Sequence, residues 1–272
     1  MTDHYAVVGN PVAHSRSPQI HAAFARVTAQ DLDYTRLLVP LDGFATAVAG
    51  FRDSGGAGVN VTLPFKVDAF RFATRHSERA LAAGAVNTLK FERGAAFGDN
   101  TDGAGLVRDL EHNLGVTLAG KRVLLMGAGG AARGVLLPLL ERKPAALVIA
   151  NRTRGKALAL AEHFAAQGNC TAAGYPELAG AQFDIVINAT SASVGGELPP
   201  LPATVFAPNA FAYDMMYAKA DTPFMAFSRA HGAARVADGI GMLVEQAAES
   251  FLLWRGVRPA TGPVISMLRA ED

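Results

Sequence analysis

Arg122-Val123-Leu124-Leu125-Met126-Gly127-Ala128-Gly129-Gly130-Ala131-Ala132 is the stretch on which the fold turns. The apolar run Val123–Met126 has no polar interruption, as expected of a strand buried on both faces of a parallel sheet. The glycines behind it match G-x-G-x-x-A, with Ala132 as the small third residue. A strand, a glycine turn and a helix together set a pyrophosphate on the unpaired N–H groups of the helix start. A ligand-free βα loop could carry the same few glycines, but the strand before and the helix after favour a dinucleotide.

Working outward, strands are expected at Leu147–Ala150 and Phe183–Asn188, with a helix from about Gly155 to Ala166. The Leu147–Ala150 strand leads into Asn151-Arg152-Thr153-Arg154, with Lys156 two residues on. An NAD-preferring site has a carboxylate there for the ribose hydroxyls. Guanidinium groups instead suit a 2′-phosphate, through charge-assisted and often bidentate bonds. Cations at a helix start oppose the macrodipole, so a plain solvated helix terminus explains them poorly. The expected cofactor is NADP(H).

Towards the N-terminus, strands are expected at Tyr5–Val8, Tyr34–Val39, Gly58–Thr62 and Ala85–Phe91, with helices from Pro18 to about Thr28 and Leu41 to Ser54. This alternation points to parallel sheets covered by helices. A last long helix spans roughly Gly241–Arg255. Polar–glycine breaks at Asp102-Gly103 and Asp238-Gly239 suggest that the chain leaves the first domain once and returns once. The expected fold is α/β. An N-terminal open α/β substrate domain, residues 1–102 and 239–272, receives the C-terminal helices. Residues 103–238 form a Rossmann-type doubly wound NADP-binding domain. A cleft between two such domains is a usual place for a small-molecule site.

Composition narrows the function. Half of the 272 residues are apolar and 18% are charged, which suits a well-buried α/β protein. A net charge of +1 gives no general attraction to nucleic acid or anionic membrane, so an anion must be held by a few placed residues. The single cysteine, Cys170, excludes an internal disulfide framework and fits a reducing compartment. No apolar run is long enough to span a bilayer, and Met1–Tyr5 has no leader character. Calcium and zinc ligand spacings are absent. The expectation is a cytoplasmic monomer or homodimer acting on a small molecule, without metal, membrane or nucleic acid.

Four polar clusters lie at strand ends, where open α/β sheets bind ligands. The first is Gly9-Asn10-Pro11-Val12-Ala13-His14-Ser15-Arg16-Ser17-Pro18, in which Ser17 reads as an N-cap ahead of Pro18. Ser15, Ser17 and the helix start could hold a carboxylate without a full positive charge, or simply cap a helix. The second is Asn60-Val61-Thr62-Leu63-Pro64-Phe65-Lys66, where Asn60 and Thr62 share one face and Lys66 falls in the first turn of the following helix. The third and fourth are Gly84-Ala85-Val86-Asn87-Thr88 and Gly98-Asp99-Asn100-Thr101-Asp102-Gly103.

In order along the chain, GNPVAHSRSP, NVTLPFK, GAVNT, GDNTDG, GAGGAAR, NRT, NATS and DGIGMLVEQA make this sequence closely similar to the NADP-dependent shikimate dehydrogenase family over nearly its whole length. NVTLPFK with GDNTDG is the specific part, because generic Rossmann enzymes lack both. The resemblance implies reversible reduction of 3-dehydroshikimate to shikimate with NADPH, a step in chorismate and aromatic amino-acid biosynthesis. It implies Lys66 and Asp102 as the catalytic pair. Substrate contacts would be Ser15, Ser17, Thr62, Asn87, Asp102, Tyr217 and Gln246, with Asn60 beside them. Cofactor contacts would be Gly127, Ala128, Gly129, Gly130, Ala131, Asn151, Arg152, Thr153, Met215 and Gly239, with Glu78 matched as well. Arg154 and Lys156 join them on the charge argument above. The chain departs from the family at Lys156, where arginine is common, and near Ser193, where glycine is.

The implied chemistry agrees with the residue types. A ketone that accepts a hydride leaves negative charge on oxygen, which must be stabilised and protonated. Protonated Lys66 suits both tasks, with Asp102 as its partner. A quinate/shikimate dehydrogenase of broader specificity would carry an acidic residue near the second strand end, where this chain has arginines. A non-catalytic metabolite-sensing relative would have lost Lys66 or Asp102, and both are present.

Overall fold

The computed structural model describes residues 2–190 and 197–271. The chain divides into two compact units, Met1–Gly105 with Leu243–Leu268, and Leu106–Met242 with Arg269–Asp272.

The first unit is built from β1 (Asp3–Gly9), α1 (Ser17–Thr28), β2 (Leu32–Leu38), α2 (Phe44–Asp53), β3 (Gly56–Val61), α3 (Lys66–Phe72), β4 (Arg75–His76), α4 (Glu78–Ala83), β5 (Thr88–Glu92) and β6 (Ala95–Asp99). Its sheet runs β2-β1-β3-β5-β6-β4. Here the expectation of parallel sheets needs correction. β5 is antiparallel to both β3 and β6. Its partner β6 is short and rich in alanine and glycine, so it carries little strand signal. Arg93 and Gly94, both at positive φ, join Glu92 to Ala95 as a two-residue hairpin.

One sheet face packs Val8, Val59, Val61, Phe65, Val86 and Leu89. The other packs Tyr5, Tyr34 and Trp254, and the Trp254 indole donates to the Leu89 carbonyl at 3.0 Å. Trp254 lies on α9 (Ile240–Arg255), so buried aromatic area anchors this C-terminal helix to the first sheet. α5 (Asp102–Arg108) and α9 carry the chain between the units. The divisions at 105/106 and 242/243 therefore lie inside helices, a few residues past the glycine breaks.

The second unit contains β7 (Arg122–Met126), α6 (Gly130–Glu141), β8 (Ala146–Ala150), α7 (Arg154–His163), β9 (Cys170–Ala173), β10 (Phe183–Asn188), β11 (Phe206–Asp214), α8 (Pro223–Ala230) and β12 (Arg235–Ala237). All six strands are parallel, in the order β12-β11-β10-β7-β8-β9. Counted within the unit this is 6-5-4-1-2-3, the doubly wound dinucleotide-binding order. Val123–Met126 are fully buried at its centre, as their unbroken hydropathy requires. β11 escaped the sequence reading because Pro208 and the positive-φ Asn209 interrupt it, and its pairing with β10 shifts register there. α10 (Gly262–Glu271) ends the described chain.

Candidate active site

In the first unit, β1, β3 and β6 point the same way and β5 points back. The segments after β1, β3 and β6 and the segment before β5 therefore meet at one edge of the sheet. Those four segments are the four polar clusters. Backbone bonds bind them together: Asn10 N–H donates to the Leu63 carbonyl at 3.0 Å, Val86 N–H to Lys66 at 2.9 Å, and Asn87 N–H to Asp99 at 3.0 Å.

Lys66 is the first residue of α3, and Asp102 is the first of α5. Lys66 Nζ lies 2.5 Å from Asp102 Oδ2, with the lysine side chain 27% exposed and the aspartate 11%. The other carboxylate oxygen, Oδ1, accepts from Asn87 Nδ2 at 2.8 Å. Asn87 is itself saturated. Its second N–H meets Thr101 Oγ1 at 2.9 Å, and its Oδ1 accepts from Thr101 N–H and the Thr88 hydroxyl, each at 2.9 Å.

Asn60 is buried and equally committed. Its Oδ1 accepts from the Tyr34 hydroxyl at 2.7 Å, while Nδ2 faces Thr88 Oγ1 at 3.1 Å and Ser250 Oγ at 2.9 Å. Ser250 lies one turn beyond Gln246 on α9, so the same helix face brings Gln246 to this edge. Gln246 Nε2 donates to the Leu243 carbonyl at 2.7 Å. A Cβ at Gly105 would come within 2.6 Å of the Gln246 backbone nitrogen, which is how closely α5 and α9 approach. Thr62 is half-buried just past β3.

The serine turn corrects one expectation. α1 begins at Ser17, and its cap position, Arg16, makes no side-chain cap bond. Ser15 does the capping work instead, accepting from Ser17 N–H at 3.3 Å. The turn closed by Ser15 N–H on Val12 places that hydroxyl over the first free amide, and the Ser17 side chain turns inward. The two hydroxyls are 3.2 Å apart.

Four residues that the sequence reading missed complete this edge: Tyr34, Thr88, Thr101 and Ser250. Thr88 and Thr101 stood within quoted motifs. Ser250 was legible from its four-residue spacing to Gln246. Tyr34 carried no signal beyond strand hydropathy. Below them Arg79 grips Asp99 through two bonds, Nε to Oδ1 at 2.7 Å and Nη2 to Oδ2 at 2.6 Å. Burial alone would raise the Asp99 carboxyl, but Arg79 and Ser77 hold it below its usual range. Glu78, beside them at the start of α4, is exposed.

In the second unit the matched residues follow the C-terminal ends of the parallel strands. Gly127 sits at φ +105°, where a Cβ would meet the Ala189 carbonyl oxygen at 3.0 Å. A side chain is thus excluded at the point between β7 and β10 where the strand order reverses. At Gly129 and Gly130 a Cβ would meet nothing within 4 Å. The protein's own packing does not require glycine there, but close approach of the main chain to a bound pyrophosphate would. Ala128 and Ala131 flank that open space, and Ala132 is fully buried on the inner face of α6. The residues present therefore fit a dinucleotide.

Asn151 follows β8 and donates from Nδ2 to the Thr153 carbonyl at 3.0 Å, shaping the turn into α7. The first turn of α7 holds no acid. Arg154 is engaged elsewhere, 2.8 Å from Glu177. Among the described residues, Arg152 and Lys156 have no carboxylate partner. Met215 and Gly239 adjoin, since a Cβ at Gly239 would strike the Met215 carbonyl oxygen at 2.3 Å. Tyr217 is half-buried two residues beyond Met215. Ser193 lies outside the described residues. No group of three or more His, Cys, Asp or Glu among the described residues could hold a metal, and no described helix is long and apolar enough to cross a membrane.

Comparison with known proteins follows this division. A family description "Shikimate dehydrogenase substrate binding domain" matches residues 7–89, "Shikimate / quinate 5-dehydrogenase" matches 109–194, and "Shikimate 5'-dehydrogenase C-terminal domain" matches 239–266. A Nitrosospira multiformis protein named shikimate dehydrogenase (NADP(+)) is 63% identical over 271 residues, spanning 100% of this chain and 98% of the relative. An Ael1 enzyme from Pseudomonas putida is similar in structure, with TM-score 0.94, 52% identity and 98% of each chain covered. The shikimate 5-dehydrogenase of Thermus thermophilus, solved with NADP(H) and shikimate, gives TM-score 0.89 at 33% identity over 100% of each chain.

Proposed function

The chain belongs to the shikimate dehydrogenase family, and we propose that it catalyses the reversible, NADPH-dependent reduction of 3-dehydroshikimate to shikimate. The observation that carries this reading is the Lys66–Asp102 pair, 2.5 Å apart where two family-specific motifs meet. The nicotinamide, when bound, supplies the hydride. Everything else falls to side chains.

Lys66 has three N–H donors and spends one on Asp102, so others remain for the ketone oxygen of the substrate. As charge develops on that oxygen, the ammonium stabilises it and passes it a proton. In the reverse direction the neutral amine takes the proton back from the hydroxyl. Asp102 holds Lys66 in position, and Asn87 holds Asp102. Asn60, with its amide committed internally, supports Asn87 and Thr88 rather than reaching the substrate. Thr62, Tyr217 and Gln246 are assigned to the ring hydroxyls, and Ser15 and Ser17 to the carboxylate.

On the cofactor side, Gly127–Ala131 would hold the pyrophosphate and Asn151–Thr153 the adenosine ribose. Arg152 and Lys156 would hold the 2′-phosphate, with Arg154 contributing less because Glu177 already engages it. Met215 and Gly239 are assigned to the nicotinamide end, and Glu78 completes the set. We infer a cytoplasmic enzyme, monomeric or homodimeric. A spectrophotometric assay of shikimate and quinate against NADP⁺ and NAD⁺ tests the proposal. Turnover of shikimate with NADP⁺ is expected. No turnover of shikimate with either cofactor would overturn it, and comparable turnover of quinate would move the assignment to a broader specificity.

A further inference from the structure

Arg36 on β2 reaches over the turn that carries Ser15. Its Nε and Nη2 both donate to the Ser15 carbonyl oxygen, at 3.1 and 2.6 Å. The other strongly bonded arginines of this unit spend their charge on carboxylates: Arg79 on Asp99, Arg255 on Asp3, Arg258 on Glu245. Among the described residues Arg36 has no carboxylate partner. A carbonyl occupies two of the five guanidinium N–H groups and neutralises none of the charge.

That uncompensated charge is bonded to the carbonyl of the same residue that carries the Ser15 hydroxyl. Ser15 and Ser17 are neutral donors, and the chain's net charge of +1 gives no general pull on anions. We propose that Arg36 is a positioning residue for the substrate carboxylate. It fixes the Ser15 turn and supplies the positive field that draws the anion to the serine pair. The inference rests on the assignment of Ser15 and Ser17 to the carboxylate. Because Arg36 is exposed, its field acts through partly screened space and weakens with salt.

The test compares shikimate with its uncharged methyl ester in Arg36→Gln, Arg36→Lys, Ser15→Ala and the unaltered enzyme, at low and high salt. At low ionic strength Arg36→Gln should raise KM for shikimate about tenfold, an effect that fades near 1 M salt as the Debye length falls to about 3 Å. Its kcat should stay within about twofold, and KM for the ester should hardly move. Arg36→Lys should recover part of the loss, since charge is kept while the bidentate grip goes. If Arg36→Gln raises KM for acid and ester alike, or Arg36→Lys recovers nothing, the arginine only braces the turn and the proposal fails. Should Arg36→Gln not fold, the unaltered enzyme still decides. KM for shikimate must rise with salt while KM for the ester stays flat, and equal salt responses would overturn the proposal. Ser15→Ala keeps the two failures apart. If it leaves KM for shikimate unchanged, the serine assignment falls and this inference with it. If it raises KM while Arg36→Gln does not, only the inference falls.

Discussion

Asn87 donates to Asp102 Oδ1 at 2.8 Å while Lys66 occupies Oδ2 at 2.5 Å, so the carboxylate is held from both sides and cannot rotate away from the lysine. Asn87 in turn is locked by Thr88 and Thr101, and Thr88 by Asn60 and Ser250. The proposed catalytic pair therefore ends a buried polar chain in which the asparagine groups are satisfied. Such chains fix geometry when complete and cost stability when broken.

Lys66→Ala should lower kcat by about 10²–10⁴, the usual scale for losing a general acid–base group. Dissociation constants for NADP⁺, read by titration, should hardly change, because all of its proposed ligands except Glu78 lie in the second unit. Asp102→Asn should lower kcat and raise KM together, since it loosens Lys66 and removes a proposed substrate contact. If Lys66→Ala raised KM and left kcat near wild type, the lysine would be a binding group and the acid–base role would be withdrawn.

Arg152 should matter more than Arg154 for cofactor choice. Glu177 holds Arg154, whereas Arg152 has no carboxylate partner among the described residues. A preference for NADP⁺ over NAD⁺ of roughly a hundredfold in kcat/KM is expected, since bonds to a charged group contribute about 1.5–3 kcal/mol each. Arg152→Ala should lose most of that preference by slowing NADP⁺ turnover, with NAD⁺ turnover little altered. Equal losses with both cofactors would place Arg152 away from the phosphate.

Much of this was legible in the chain. The central strand Arg122–Met126 and the strand Phe183–Asn188 lie where hydropathy put them, because strands buried on both faces leave unbroken apolar runs. What stayed hidden was non-local. Nothing in Ala95–Asp99 announces an antiparallel strand, and nothing near Pro208 announces the parallel strand β11. The motifs Asn60–Lys66 and Gly98–Gly103 each named one half of the Lys66–Asp102 pair, but their meeting depends on the β3-β5-β6 order. Ser17 reads as a cap by residue type, yet the preceding turn gives that work to Ser15.

Ser15→Ala should therefore do two things at once. Loss of a donor to an anion should raise KM for shikimate by about 10- to 100-fold, and loss of a cap should cost about 1 kcal/mol of stability. Ser17→Ala should raise KM with less effect on the protein's denaturation midpoint, because Ser17 does not cap α1. Stability loss in Ser15→Ala without any change in KM would return the serine to a structural role.

His21 gives the protein a sensitivity to acid. Its ring is fully buried, stacked on Tyr34 with centroids 4.3 Å apart, and neither ring nitrogen has a hydrogen-bond partner of good geometry. Burial pushes the imidazole down to about 3, and the nearby Asn60, which opposes the shift, does not offset it. In the unfolded chain the same group titrates near its usual value of about 6.5. Between those values the unfolded state binds a proton that the folded state refuses. Stability is thus complete above about pH 6.5 and falls as the pH drops towards 3, by up to about 1.4 kcal/mol per pH unit. Urea midpoints measured at pH 7 and pH 5 should show this loss in the wild-type chain. His21→Phe keeps an aromatic ring in the stack and removes the titrating group, so its midpoint should fall distinctly less over the same interval. An equal fall in both proteins would assign the acid sensitivity to other groups.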